Sequence, residues 1–117
     1  MMENPVENKN QAAAWPHGVA GLADLIGLQA GSVVSRVLLK RKSGNVTPCA
    51  FDIGQELSEH TAPFEALIQV VQGEAEVSID GRPHIVRAGE GILLPAGHPH
   101  GIRAVGAMKM LLTMIRE

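Results

Sequence analysis

The chain has 117 residues, a net charge of −2 and one cysteine, which fits one domain and excludes an internal disulfide. Its hydrophobic fraction of 45% is that of an ordinary soluble protein, whereas 3% aromatic residues and no tyrosine argue against nucleic-acid binding. No apolar run is long enough to span a bilayer, and the N-terminus does not resemble a secretory signal. We therefore expect a cytoplasmic protein with no nucleic-acid or membrane partner.

Residues 1–30 are predicted to form an N-terminal arm with a short helix, ahead of a barrel domain over residues 31–117. The arm is rich in Asn, Glu, Gln and Pro up to about residue 17, a composition typical of mobile segments. Trp15 is the only aromatic residue of this stretch, and it is a candidate anchor on the domain or on a second subunit. One or two helical turns are predicted over residues 19–28, with Gly27 as the stop.

Short apolar stretches separated by glycine-containing turns follow. The predicted strands are residues 32–40, 46–53, 66–72, 74–79, 83–87, 91–95, 100–105 and 108–115. Asp80-Gly81 is a strong hairpin signal, and Val77 and Ile79 alternate with polar residues as on a half-buried strand. So many strands with almost no helix predict an all-β, antiparallel barrel or double-layered fold.

Several residues have a structural interpretation. Cys49 is predicted to be a small core residue, and the run Lys40–Lys42 a solvated strand end or turn. Met108, Met110 and Met114 share one face of the last strand. They are interpreted as core residues, with the lining of a small apolar pocket as the alternative.

Two blocks of the sequence resemble the motifs of the cupin superfamily, small barrel proteins with a jelly-roll fold. The first block has Gly54, His60 and Gly73, and the second is GEGILLPAGHPH, which ends at His100. The resemblance covers about residues 32–115. It implies an RmlC-like cupin, an antiparallel double-stranded β-helix whose open end holds a metal bound by three histidines and a carboxylate.

Carried over residue by residue, the resemblance retains His60 and His100 as metal ligands. Ala62 stands where the second histidine is expected, and Ala66 where the glutamate is expected. Glu65 has the opposite strand parity, so it replaces the carboxylate only if the strand is bulged. His98 lies two residues before His100 and is the remaining candidate ligand, unless the turn after Pro95 changes the direction of its side chain.

The metal and the function therefore stay open. One alternative is a single weakly bound divalent transition metal (zinc, nickel, iron or manganese) on His60, His100 and His98 or on two of them; the other is no metal. We expect a small-molecule-binding cupin. The alternatives are a metal-dependent dioxygenase, isomerase or decarboxylase and a metal-free enzyme with His60 as base.

Two further expectations concern the surroundings of the site and the assembly. His84 shares a face with Val86 and is interpreted as a half-buried strand residue, with a place inside the barrel as the alternative. Small cupins commonly pair through their strands, so the resemblance implies a homodimer. The apolar stretch SVVSRVLLK, residues 32–40, suits such an interface.

Overall fold

Ten antiparallel strands dominate the part of the chain that this computed structural model describes, which is Trp15 and residues 18–117. The strands are β1 (Val33–Ser35), β2 (Leu39–Arg41), β3 (Gly44–Phe51), β4 (Glu56–His60), β5 (Glu65–Gln72), β6 (Glu74–Ile79), β7 (Arg82–Arg87), β8 (Gly91–Leu94), β9 (His100–Ala104) and β10 (Met108–Ile115). The large sheet has the order β1-β3-β10-β5-β8, with β2 also paired to β3, and the small sheet has the order β4-β9-β6-β7. The predicted all-β jelly roll is confirmed.

The core lies between the two sheets. Phe51, Ile68 and Met110 reach it from the large sheet, and Val77 and Ile102 reach it from the small sheet. Burial of side chains of this size contributes about 1.5–3 kcal/mol each. The alternation of exposed and buried residues over positions 65–70 of β5 shows how the period of two along a strand separates a core face from an outer face.

The residues predicted to be structural occupy the expected places. Cys49 is buried, with 4% of its surface exposed, and Met108 and Met110 are fully buried. Burial raises the pKa of the Cys49 thiol to about 11, because the thiolate loses its hydration. Asp80 and Gly81 form the two-residue turn between β6 and β7, and both have positive φ, 53° and 79°.

The N-terminal helix is shorter than predicted, since only a single 3₁₀ turn forms at Leu22–Asp24. This turn belongs to a strap, residues 18–32, that is bound to the barrel by side chains. Lys109 Nζ donates to the carbonyl oxygen of Ala23 over 2.6 Å. Arg36 Nη2 donates to that of Leu25 over 3.0 Å. Within the described residues, no helix is long and apolar enough to cross a membrane.

Trp15 lies ahead of the strap and is 46% exposed. Its indole Nε1–H donates to the nearby carbonyl of Gly18 over 3.1 Å. The predicted anchoring role on the domain or on a second subunit stays a prediction. The rest of the predicted arm, residues 1–14, 16 and 17, falls outside the described residues.

Two strand predictions were wrong. The predicted strand 32–40 is divided into β1 and β2, which pair with opposite ends of β3. The division lies opposite Pro48, which has no N–H to donate to the facing chain. Strand β4 was not predicted at all, because it is exposed along its whole length. It therefore lacks the alternation of apolar and polar residues by which strands are identified.

Candidate functional site

A bulge in β4 determines where the side chain of His60 points. Leu57 pairs with Ile102 and His60 pairs with His100, so β4 uses three residue steps where β9 uses two. Ser58 and Glu59 together therefore oppose Gly101, which is the arrangement of a β-bulge. A regular strand would place Glu59 opposite His100 instead, because successive residues face opposite sides.

The two histidine rings contact each other across this strand pair. Their centroids are 4.5 Å apart and their planes are inclined at 67°, an edge-to-face arrangement. His100 forms the inner side of the pair, inside the barrel, and is only 5% exposed. His60 is exposed on the edge strand. The pair thus lies where the interior of the barrel meets solvent.

Backbone hydrogen bonds fix both rings in the same tautomer. His60 Nδ1 lies 2.9 Å from the carbonyl oxygen of Ser58, and His100 Nδ1 lies 3.1 Å from that of His98. A carbonyl oxygen only accepts, so each Nδ1 carries the proton and donates it. In the neutral rings each Nε2 then keeps its lone pair. The site therefore presents two acceptor nitrogens, each also suited to bind a metal.

His98 does not join this pair. The turn that begins at Pro95 is closed by a hydrogen bond from the N–H of His98 to the carbonyl oxygen of Pro95, at 3.4 Å. His98 Nδ1 hydrogen-bonds Asp80 Oδ2 over 2.7 Å, and both side chains are about half exposed. Sequence reasoning did not identify Asp80 as a partner, because its place in a hairpin turn already explained it.

Ala62 and Ala66 occupy the positions at which the family pattern has larger, metal-binding side chains. Ala66 faces the core and is 8% exposed. The carbonyl of Ala62 accepts a hydrogen bond from the N–H of Gly97 over 2.8 Å, which links the loop after β4 to the turn after Pro95. Glu65 is exposed, next to the buried Ala66 on β5. Its carboxylate therefore does not replace the family's glutamate inside the barrel.

His84 is also separate from the pair. It lies on β7, directly opposite Val77 of β6, and its Nδ1 is 3.3 Å from the Val77 carbonyl oxygen. His84 is exposed, although the neighbouring Val86 is buried.

The donor set does not fit the metal centre that the cupin resemblance implies. Among the described residues, no group of three or more His, Cys, Asp or Glu side chains is arranged to hold a metal ion. Two neutral imidazoles remain, whereas a stable site for zinc or a related ion takes three or four protein ligands. The role of His60, His98 and His100 as metal ligands stays a prediction.

A groove of about 530 Å³ lies beside the loop that links β4 to β5. Pro63, Phe64 and Arg116 are among its walls, and no histidine lines it. The guanidinium of Arg116 lies 5.6 Å from the centre of the Phe64 ring, a cation–π contact that defines one side of the groove.

The fold and motifs agree with known proteins. The family model described as "Cupin domain" matches residues 49–115. A conserved protein of unknown function from Streptococcus pyogenes is 33% identical with a TM-score of 0.82, and the match covers 86% of this chain and 89% of that one.

Two curated relatives from Streptomyces match shorter stretches. The polyketide synthase CurC of Streptomyces cyaneus is 39% identical over 54 residues, which are 45% of this chain and 35% of that protein. Protein SchB of Streptomyces halstedii is 37% identical over 60 residues, which are 50% of this chain and 44% of that protein. The matched part thus spans less than half of either relative. Together with the two-sheet barrel and the match over residues 49–115, these comparisons show that the chain belongs to the cupin family.

Proposed function

We propose that this cupin binds a small, largely apolar organic molecule through a hydroxyl group that donates to the pair His60–His100. The observation that carries the proposal is the common tautomer of the two rings, each with Nδ1–H bound to a backbone carbonyl. The free Nε2 atoms accept hydrogen bonds when the rings are neutral. A phenol or an enol is the matching chemistry, because each keeps its O–H at a pH where an imidazole is neutral.

The surroundings of the pair favour an apolar ligand body. Ile79 is the cross-strand neighbour of His100 on β6, which brings their Cβ atoms to about 5 Å. Ala62 and Ala66 replace two larger polar ligands of the family pattern with methyl groups. A site with few polar groups on an apolar wall is typical of small-molecule pockets.

One curated relative adds support for this ligand class. CurC is named a polyketide synthase, and polyketides are carbon skeletons that carry carbonyl and hydroxyl groups. We extend only this chemistry to the present chain, as part of the proposal.

The test compares 2-naphthol with 2-methoxynaphthalene, which has a similar shape but no O–H. Titration calorimetry at pH 8 should show that 2-naphthol binds about 3- to 10-fold more tightly, the effect of one hydrogen bond. The variants His60→Ala and His100→Ala should remove this difference, whereas the control His84→Ala should keep it. Equal binding of the two probes by the wild type would contradict the proposal.

The metal-dependent enzyme is the alternative, and elemental analysis after extensive dialysis separates it from the proposal. We expect well below one equivalent of any transition metal, because two imidazoles give little affinity. One full equivalent of a single metal, lost in both His60→Ala and His100→Ala, would favour the enzyme instead.

A further inference from the structure

The start of β3 carries two polar side chains on the inner face of the barrel. Asn45 and Thr47 have the same parity along β3 as Cys49 and Phe51, which belong to the core, so all four side chains point inward. The pairing of β3 with β10 is regular over its whole length, and no bulge changes this direction. Asparagine is depleted in strands, so an inward-facing Asn45 is a feature that the fold alone does not explain.

Both residues lie near the depth of the histidine pair. At the far end of the barrel, the connection from β3 to β4 is bound to β9, because one of its backbone N–H groups donates to the carbonyl oxygen of Ala104 over 3.2 Å. Thr47 lies four residues before the end of β3, and His100 lies four residues before Ala104, the end of β9. Four residues span roughly 13 Å, and the strands of facing sheets run within about 30° of each other. Thr47 is therefore level with His100, and Asn45 lies two residues nearer the end where the interior meets solvent, which we call the mouth.

The hydrogen bond between the two polar side chains uses only the oxygen of the amide. The Thr47 hydroxyl donates to Asn45 Oδ1 over 2.8 Å. Thr47 is buried, and Asn45 is half-buried. An asparagine amide also has two N–H donors, and those of Asn45 make no hydrogen bond to a described residue. The amide oxygen is thus held within the protein, and the N–H groups remain available to a ligand.

A second donor lies beside Asn45. Lys40 of β2 is the pairing partner of Asn45, so the two side chains share one face of the sheet, and Lys40 is exposed. An ammonium group donates hydrogen bonds and does not accept them. The large sheet therefore has hydrogen-bond donors at the mouth, whereas the pair His60–His100 on the small sheet has acceptors.

Apolar side chains lie between these two polar sides. Met114 and Ala66 follow Asn45 from strand to strand on the inner face of the large sheet, and Ile79 lies beside His100 on the small sheet. The methyl group of Ala66 replaces the glutamate of the family pattern, so this part of the wall carries no charge. A molecule held here meets apolar groups along its middle, acceptors on one side and donors on the other.

We propose that Asn45 is a specificity-determining residue and that the ligand of this cupin is an apolar hydroxycarbonyl compound. This inference rests on the function proposed above and extends it. The hydroxyl group of the ligand donates to the pair His60–His100, and a carbonyl oxygen of the same molecule accepts from Asn45 Nδ2. Thr47 is a positioning residue, because it holds the amide oxygen and acts on the ligand only through Asn45.

Two amide-to-carboxylate variants separate this role from a structural one. In Asn45→Asp, the carboxylate still accepts from the Thr47 hydroxyl but has no N–H to donate. The matched control is Gln69→Glu, which makes the same change at an exposed residue on the outer face of β5. Both variants add one negative charge, so a difference between them comes from the position and not from the net charge.

The experiment compares 3-hydroxyacetophenone with 3-isopropylphenol, which has a similar shape but no carbonyl oxygen. Nuclear magnetic resonance titration at pH 8 gives the ratio of the two dissociation constants for each protein. We expect the ratio to shift about 3- to 10-fold against the ketone in Asn45→Asp, the effect of one hydrogen bond. Thr47→Val should shift it in the same direction, and Gln69→Glu should leave it at the wild-type value. Affinity for 3-isopropylphenol should be the same in all four proteins, which shows that the fold and the hydroxyl contact are intact.

The same titration tests direct contact. The side-chain amide signals of Asn45, identified by their absence in Asn45→Asp, should move when 3-hydroxyacetophenone is added to the wild type and should move much less with 3-isopropylphenol.

Failure of this inference and failure of the proposed function are distinguishable. An unchanged ratio in Asn45→Asp, with 2-naphthol still preferred to 2-methoxynaphthalene, would overturn the role of Asn45 and leave the hydroxyl contact in place. Equal binding of the two naphthalene probes by the wild type would overturn both. Equal shifts in Asn45→Asp and Gln69→Glu would show an effect of net charge and would also overturn the role of Asn45.

Discussion

His60 faces His100 across the β4–β9 pair because the bulge at Ser58 and Glu59 restores the inward direction of its side chain. If β4 paired regularly with β9 and had no bulge, the same sequence would place Glu59 opposite the buried ring of His100. The position of one residue in the ladder thus determines whether the site contains two imidazoles or an imidazole and a carboxylate.

Deletions in β4 test whether the bulge determines the direction of the His60 side chain. Removing Glu59 alone should leave His60 opposite His100, because the strand then pairs regularly through Ser58 and Gly101. Removing both Ser58 and Glu59 should place His60 opposite Gly101, on the outer face. The measurement is the nuclear Overhauser contact between the two ring systems, which should persist in the single deletion and disappear in the double deletion. The opposite pattern would show that the bulge does not set the register.

Gly73 is required by its surroundings as well as by its backbone angle. It has φ +77°, and an added Cβ would lie 2.9 Å from Cβ of Met108 and even closer to the carbonyl oxygen of Ala107. Gly81 has φ +79° but nothing within 4 Å of an added Cβ. We expect Gly81→Ala to cost about 1–2 kcal/mol through strain alone, and Gly73→Ala about 3 kcal/mol or more through strain and overlap. Urea unfolding measures both, and equal losses would contradict the prediction.

Cys49 should make the fold less stable in alkali. Its thiol has a pKa of about 11 in the folded protein against an ordinary value of 9.0, so the unfolded chain ionises first as pH rises. The stabilisation is complete below pH 9 and is lost as pH rises through 11, and it amounts to about 3 kcal/mol. Cys49→Ala should remove this pH dependence, while the contribution of lysine titration stays common to both proteins. Parallel pH profiles of urea stability for the two proteins would refute the prediction.

The carboxylate of Asp52 should stabilise the strap at pH values above the pKa of this group. The N–H of Gly31 donates to Asp52 Oδ2 over 2.7 Å, and this bond, followed by the N–H of Ile53, lowers the pKa of the carboxyl. Because the pKa of the carboxyl is lowered in the folded protein, its stabilisation is complete at pH values above the pKa in the unfolded chain, which is about 3.9. This stabilisation is lost as pH falls through the pKa in the folded protein. Hydrogen exchange in residues 18–32 should therefore be faster in Asp52→Asn than in wild type at pH 6. The two proteins should converge as pH falls through the lowered folded pKa of Asp52.

The control for this experiment is Asp24→Asn, which changes an exposed carboxyl of the same strap. It should not reproduce the pH-dependent difference. If both variants behaved alike, the effect would come from the net charge of the strap and not from the bond to Gly31.

The positions of most strands and of several core residues could be predicted from sequence because they depend on local alternation and turn residues. Val77, Ile79 and the Asp80-Gly81 turn are examples, since each is determined by neighbours within a few residues. The division of residues 32–40 into β1 and β2 could not be predicted in this way. It depends on Pro48, which becomes a neighbour only when the sheet forms.

The candidate site shows the same limit. The glycine and proline spacing identified His60 and His100, and the structure places them together. His98 has the right parity in sequence, but a turn and the carboxylate of Asp80 direct its ring elsewhere. The bulge in β4 and the hydrogen bond between His98 and Asp80, which are 18 positions apart, are tertiary features. The alternation of side chains along a strand does not predict them.

The position of Trp15 has a practical consequence for spectroscopy. This exposed residue is the only tryptophan, tyrosine is absent, and Phe51 and Phe64 are the only other aromatic residues. The barrel itself therefore carries no strong near-ultraviolet chromophore. A change in tryptophan fluorescence would report on the chain ahead of the strap, whereas an induced near-ultraviolet dichroism band would come directly from an aromatic molecule held inside.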